Sequence, residues 1–289
     1  QTAGNPHISV LLRGRERRRF AEKSDMEKIR PDLSEVPATL LVPLWARAEE
    51  QKRADPLVRD PKSAEILRAL DFDFGRFRGG WMSQLGCCVR TAILDREVQA
   101  FLSDRPGAPV VNLGCGLDAR ELRMTGYGMW YDLDLPEVIG LRERFFPDTE
   151  RVRRIACSVL DFGWMDRIAA EGPVLIVAEG LFMYLSGEEV GALLRALGRR
   201  FAEAVLLVEM LAPLLVGRNG MHDTVKEAAF RWSLRDSRDF ERMADRLRFD
   251  REWSYFDEAR RRWRYLRLFR RIPWFRRNLN NRIVRLRFG

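Results

Sequence analysis

Val110-Val111-Asn112-Leu113-Gly114-Cys115-Gly116-Leu117-Asp118 reads as a buried β-strand running into a glycine turn. The apolar residues before the glycines do not alternate with polar ones, as in a parallel strand covered on both faces. Gly114 and Gly116 allow positive φ and let a ligand approach the backbone where a Cβ would clash. Asp118 and the run Ala119-Arg120-Glu121-Leu122 then read as the start of a helix, with Asp118 and Arg120 as a pair capping it. A strand, a glycine turn and a helix in this order either hold a nucleoside cofactor at the carboxyl end of a sheet or form only a tight connection. With Ala119 in its last place, the stretch also satisfies the dinucleotide fingerprint GxGxxG/A. Hydride transfer with a nicotinamide therefore stands as one reading.

The segments that follow keep the rhythm of strands and helices. A second strand spans about Met129 to Leu133 and ends in Asp132-Leu133-Asp134-Leu135-Pro136, an acid about twenty residues past the glycines, where a ribose diol is held. Asp132 and Asp134 alternate, so they point to opposite sides of the strand end and only one faces a ligand. A third strand covers about Val152 to Cys157 and leads into Ser158-Val159-Leu160-Asp161. A fourth, Pro173 to Ala178, ends in Glu179-Gly180, and a fifth spans Ala204 to Glu209. Ser186-Gly187-Glu188-Glu189 opens a helix with a serine cap, whose apolar face is Val190, Leu193, Leu194 and Leu197. Short loops between alternating strands and helices argue an α/β fold with a parallel sheet covered on both faces. Phe249 to Tyr255 and Ile283 to Phe288 alternate as two late strands.

Before the sheet, helices are expected from about Val36, from Asp60-Pro61 and from Arg90 to about Leu102. The expected division is a basic arm at 1–30, a helical cap at 31–105 and a core at 106–289. Within the core, 211–240 is a substrate cover with a helix containing Phe230 and Trp232. Trp81, Trp232 and Trp263 read as core.

The 289 residues fit one large domain with additions, and 46% hydrophobic content supplies a sizeable core. No run of eighteen apolar residues exists, and the first residues lack the pattern of a secretory signal. Cys87, Cys88, Cys115 and Cys157 have neither disulfide-framework nor metal-ligand spacing, which fits a reducing cytoplasm. With only His7 and His222, no histidine metal site is expected. The net charge of +9 is mostly an arginine excess, and no acid follows Glu258. Such a tail is a solvated basic edge or a surface for an anionic partner.

Three ordered stretches carry a resemblance. They are Val110 to Arg120, Tyr131-Asp132-Leu133-Asp134-Leu135-Pro136-Glu137-Val138, and Ala178-Glu179-Gly180-Leu181-Phe182-Met183-Tyr184-Leu185. Together they resemble the leucine carboxyl methyltransferase-like family, which includes bacterial polyketide carboxyl O-methyltransferases. The resemblance is good over about residues 85–210 and loose in the Arg/Trp-rich end. It implies a Rossmann-like class I sheet, mostly parallel with an antiparallel closing strand, and S-adenosylmethionine (SAM) as the methyl donor. It also implies roles. Arg90 would bind the SAM carboxylate. Gly114, Cys115 and Gly116 would pass beneath the methionine part. Asp134, with Asp132 and Leu135 beside it, would hold the ribose. Ser158 and Val159, or Asp161 in place of Ser158, would meet the adenine. Glu179 and Gly180 would lie at the methionine ammonium, and Tyr184 would face cofactor or substrate. The family often has Thr after Asp118, where this chain has Ala119.

The chemistry then turns on the nucleophile. A carboxylate, with a solution pKa near ~4, arrives ionised, whereas a phenol, near ~10, needs a general base. A chain with one histidine past residue 7 fits a carboxyl acceptor better: a small natural product or a peptide C-terminus, with Arg218, Arg231 or Arg235 holding the anion. His222, in the cover, is the residue that favours the alternative, a phenol or hydroxyl acceptor. A reading from another class, an RNA-binding module or RNA methyltransferase, rests on the arginines around Trp263 and Trp274. Against it, no Asn/Asp-Pro-Pro-aromatic motif follows the fourth strand, so nucleic acid is not the expected partner.

Overall fold

All seven expected strands join one sheet in the computed structural model, which describes residues 28–34, 36–217 and 229–289. They are β1 (Val110–Leu113), β2 (Trp130–Asp134), β3 (Val152–Ala156), β4 (Val174–Ala178), β5 (Ala204–Met210), β6 (Leu247–Ser254) and β7 (Arg282–Phe288). Their order is β3-β2-β1-β4-β5-β7-β6. The first five are parallel, and β7 runs antiparallel to both β5 and β6. This is the Rossmann-like sheet, mostly parallel with an antiparallel closing strand, that the resemblance implies. The chain winds outward through β2 and β3 and then returns to β4 beside β1. The connections above β1 and β4 therefore part, leaving a crevice at their carboxyl ends.

Every residue of β1 and β4 is buried, which is why neither alternates. Helices α1 (Leu41–Glu50), α2 (Pro61–Ala69), α3 (Trp81–Asp104), α4 (Pro136–Glu143), α5 (Gly187–Arg200) and α6 (Pro273–Asn278) surround the sheet. The apolar face of α5 covers one side of the sheet, and Val89, Ile93, Leu94 and Val98 of α3 cover the other. A third cluster joins α1 and α2 to Leu117 and Phe146, just beyond the glycine turn. Asp60 caps α2 by accepting from the Ser63 amide at 3.1 Å. At α5 the capping box is complete: Ser186 Oγ accepts from the Glu189 amide, and Glu189 accepts from the Ser186 amide.

Three expectations are corrected. The third helix begins at Trp81, after the Gly79-Gly80 pair, rather than at Arg90. Burial of Leu85, Cys88 and Val89 offsets the helix-weakening Gly86. No α-helix follows the glycine turn; only a 3-10 turn at Arg120–Leu122 does. The carbonyls of Leu117 and Asp118, which a helix would offer to amides four residues on, instead accept from Arg47 (3.1 Å) and Arg142 (2.6 Å). Likewise Phe230 and Trp232 are not helical. Their segment is held open by Arg231 N donating to Met183 O at 2.8 Å and by Ser233 Oγ donating to Leu211 O.

Candidate active site

A cleft of about 300 Å³ opens at the carboxyl ends of β1, β2 and β4. Its floor is the glycine turn: Gly114 and Gly116 have φ of +63° and +49°, and Gly180 across the cleft has +67°. A Cβ at Gly114 would stand 3.2 Å from Leu181, and one at Gly116 would stand 3.3 Å from Leu40. The floor is thus a cradle that side chains would fill.

At one end of the cleft, arginines and acids interlock. Arg90, on α3, donates through Nε to Glu179 Oε1 (2.7 Å) and through Nη1 to Glu209 Oε2 (2.8 Å). A Cβ added at Gly180 would stand 3.5 Å from Arg90 Nη2. Arg120, fully buried, donates to Glu179 Oε2 (2.6 Å), Asp118 (2.5 Å) and Asp95 (2.7 Å). Burial alone would raise the Glu179 carboxyl, but Arg90 and Arg120 outweigh it and hold it below the usual range. Glu209 also accepts from Tyr255 Oη at 2.7 Å. A guanidinium fixed between two carboxylates suits a zwitterionic amino-acid group, since it presents both signs of charge at set positions.

At the other end, Asp134 Oδ2 accepts from the Gly116 amide and Oδ1 from the Leu135 amide, both at 2.8 Å. Burial pushes its carboxyl up to about 6 against these bonds. Its alternate neighbour does not reach the cleft. Asp132 is fully buried, accepting two bonds from Arg142, one from the Trp130 indole and one from Asn112. That set satisfies its carboxylate, and Asp132, expected beside the ribose, does not line the cleft. Cys115, Leu135, Ser158 and Val159 line the cleft. Asp161 does not line it and is exposed.

Tyr184 lines the opposite wall, its ring 5.7 Å from that of Phe230. Burial raises its phenol, although a hydrogen bond with Thr39 pulls the other way. His222 and Arg218 lie outside the described residues. Arg231 is exposed beside Glu189 (3.4 Å), and Arg235 lines a different cavity, so neither meets the cleft. The cap contributes residues that the sequence did not single out: Pro37, Thr39, Leu40 and Pro43 close the cleft from above. The sequence pairs Arg120 with Asp118 alone. The 2.5 Å pair exists, but the reach to Glu179 carried no local signal. Among the described residues no His, Cys, Asp and Glu cluster is placed to hold a metal.

A model of the leucine carboxyl methyltransferase family matches residues 41–198. The tetracenomycin polyketide synthesis O-methyltransferase TcmP of Streptomyces glaucescens is 33% identical over 229 residues, covering 78% of this chain and 85% of TcmP. The S-adenosyl-L-methionine-dependent methyltransferase dpfgK of Gibberella zeae is 30% identical over 199 residues, covering 63% of this chain and 66% of dpfgK. Among solved structures, the magnesium protoporphyrin IX methyltransferase of Synechocystis superposes with a TM-score of 0.46 at 14% identity, covering 80% of this chain and 99% of that one.

Proposed function

The chain belongs to the leucine carboxyl methyltransferase family, and from that premise we propose that it forms methyl esters. It is an S-adenosylmethionine-dependent methyltransferase, which sets aside the nicotinamide reading of the glycine turn. The acceptor in our reading is the carboxylate of a small, polyketide-like natural product or of a peptide C-terminus.

The residues present suit the cofactor. The glycine cradle leaves room for the methionine part. Arg90 would meet its carboxylate and Glu179 its ammonium, Asp134 the ribose diol, and Ser158 with Val159 the adenine. When bound, SAM supplies a methyl group on a sulfonium, open to in-line displacement. The chain has to align the acceptor and exclude water.

One observation carries the choice of a carboxylate. Among the described residues of the cleft, the acids are engaged and the phenol is neutral. Glu179 and Asp118 are ion-paired, Asp134 accepts two amides, and Tyr184 is raised above its ordinary value. Such a site suits a nucleophile that arrives ionised. Tyr184, with Thr39 and the apolar cap residues, would position it.

The test is a panel of carboxylic acids and phenols incubated with the enzyme and SAM carrying a labelled methyl group. Methyl transfer to acids, releasing methanol under mild alkali, is the expected result. Alkali-stable ethers on phenols, with activity lost in His222→Ala, would sink the carboxyl reading. The RNA reading has no cleft-side support, because the basic carboxyl-terminal segment lines none of the cleft.

A further inference from the structure

Nine large apolar side chains stand well exposed among the described residues, and five of them fall within ten residues: Tyr265, Leu268, Phe269, Ile272 and Trp274. The segment that presents them is firmly anchored. Trp263 is buried edge-on against Phe256 (4.9 Å), and its indole donates to the Tyr255 and Glu258 carbonyls. Phe275 packs on Phe256 at 5.2 Å. Arg262 pairs with Glu50, Arg276 with Asp257, and Arg264 lies 4.8 Å over the Trp81 ring. The exposed apolar side chains are therefore held outward by a packed base.

Charge surrounds them. Twelve arginines and no acid follow Glu258 in the sequence. Arg261, Arg271 and Arg277 are exposed and have no carboxylate partner among the described residues. Arg271 and Arg277 border a cavity beside Trp274, whose deeper lining holds Asp236 and the buried Arg282 paired with Glu252 at 3.4 Å.

We propose that residues 260–278 form a docking surface for an anionic lipid bilayer. Leu268 and Ile272 gain free energy only by leaving water for an apolar phase. Trp274 and Tyr265 suit the headgroup level, and the free guanidiniums suit lipid phosphates. A second copy of the chain would set arginines against arginines. Single-stranded RNA offers phosphates and stacking bases, but nothing for two exposed aliphatic side chains. The surface also borders the cleft's side of the sheet. α6 packs on the turn Pro213–Leu215, and Leu215 joins Met183 and Tyr184. Docking would place the mouth of the cleft near the membrane.

Flotation with vesicles of phosphatidylcholine alone, or with about a third phosphatidylglycerol, tests this. The double variants Leu268→Asp/Ile272→Asp and Arg271→Glu/Arg277→Glu are compared with the parent chain, with melting temperature and SAM binding as controls of folding. The expected result is partition onto the anionic vesicles only, weakened about tenfold or more by either double variant, with SAM binding unchanged. Partition unchanged by the aspartates would overturn the proposal. So would absence from anionic vesicles, and tight binding of a single-stranded RNA oligomer or of polyglutamate would then assign the surface to that partner instead.

Discussion

Asp134 and Glu179 sit at opposite ends of one cleft, and the protein shifts them in opposite directions. Burial raises Asp134 to about 6, because the amides of Gly116 and Leu135 and the more distant Arg142 only partly offset it. In the proposed site a ribose diol would donate to the ionised carboxylate. SAM affinity should therefore fall about tenfold per pH unit once the pH drops below ~6. The stability of the unliganded protein should move the other way. A group whose folded pKa lies above its ordinary value binds its proton more tightly in the fold. Its contribution is full at low pH and is lost as the pH rises through about 6. Calorimetric SAM titrations and melts over the same pH series check both signs. Asp134→Asn should flatten both, and unchanged profiles in that variant would remove Asp134 from the ribose site. Glu179 is held ionised by Arg90 and Arg120, so it does not titrate in this range. Glu179→Gln leaves two buried guanidiniums short of a counter-charge. It should destabilise the fold by about 3 kcal/mol or more and weaken SAM binding. A variant that melts like the parent and binds SAM equally well would contradict this.

At the scale of elements, the glycine turn is the joint between sheet and cap. Gly116 has φ +49°, and a Cβ there would press on Leu40, one residue before α1. Gly116→Ala should cost about 1–2 kcal/mol from backbone conformation and also weaken SAM binding, by pushing the cap off the floor. Ser186→Ala is the contrasting change. It removes the α5 capping box for about 1 kcal/mol and should leave SAM affinity almost unchanged, since its bonds stay within the helix start. Thermal melts paired with SAM titrations separate the two, and equal losses of affinity would refute the distinction. The same joint shows where the sequence was legible. Strands β1 to β5, the acid at the end of β2 and the cap at Ser186 are written in local patterns: unbroken apolar runs, spacing and capping chemistry. The alternation of Asp132 and Asp134 said that one carboxylate faces inward, but not which one. The missing helix after Asp118 was not legible, because Arg47 and Arg142 take its carbonyls from far along the chain. For the same reason, the cap residues Thr39 and Leu40 and the reach of Arg120 to Glu179 carried no local signal. An arginine's partner depends on the fold, whereas a glycine's φ is advertised by the glycine itself.

Across the whole molecule, one ion pair ties the first helix of the cap to the basic segment near the carboxyl end. Arg262 donates both terminal nitrogens to Glu50, at 2.7 and 2.8 Å, and Glu50 also accepts from the Leu57 amide at 2.7 Å. From Arg262 the tie continues through buried Trp263 and Phe256 to β6 and β7, and from Glu50 along α1 to Leu40 over the glycine turn. The cap thus closes the cleft while clamped by the strand pair that ends the sheet. Burial alone would raise the Glu50 carboxyl, but the bonds from Arg262 and Leu57 outweigh it and lower it. Its contribution to stability is therefore present above the usual glutamate range and lost as the pH falls through the depressed folded value. Glu50→Gln keeps the shape but removes the charge. It should lower neutral-pH stability by about 1–3 kcal/mol, and the difference from the parent chain should shrink toward acid pH. If the clamp holds the cap, limited proteolysis should also cut the 51–60 connection faster in the variant, and SAM should restore protection by closing the cap from inside. Parallel melting curves across the acid range, or cleavage unchanged in the variant, would show that Glu50 and Arg262 meet without holding the two ends together.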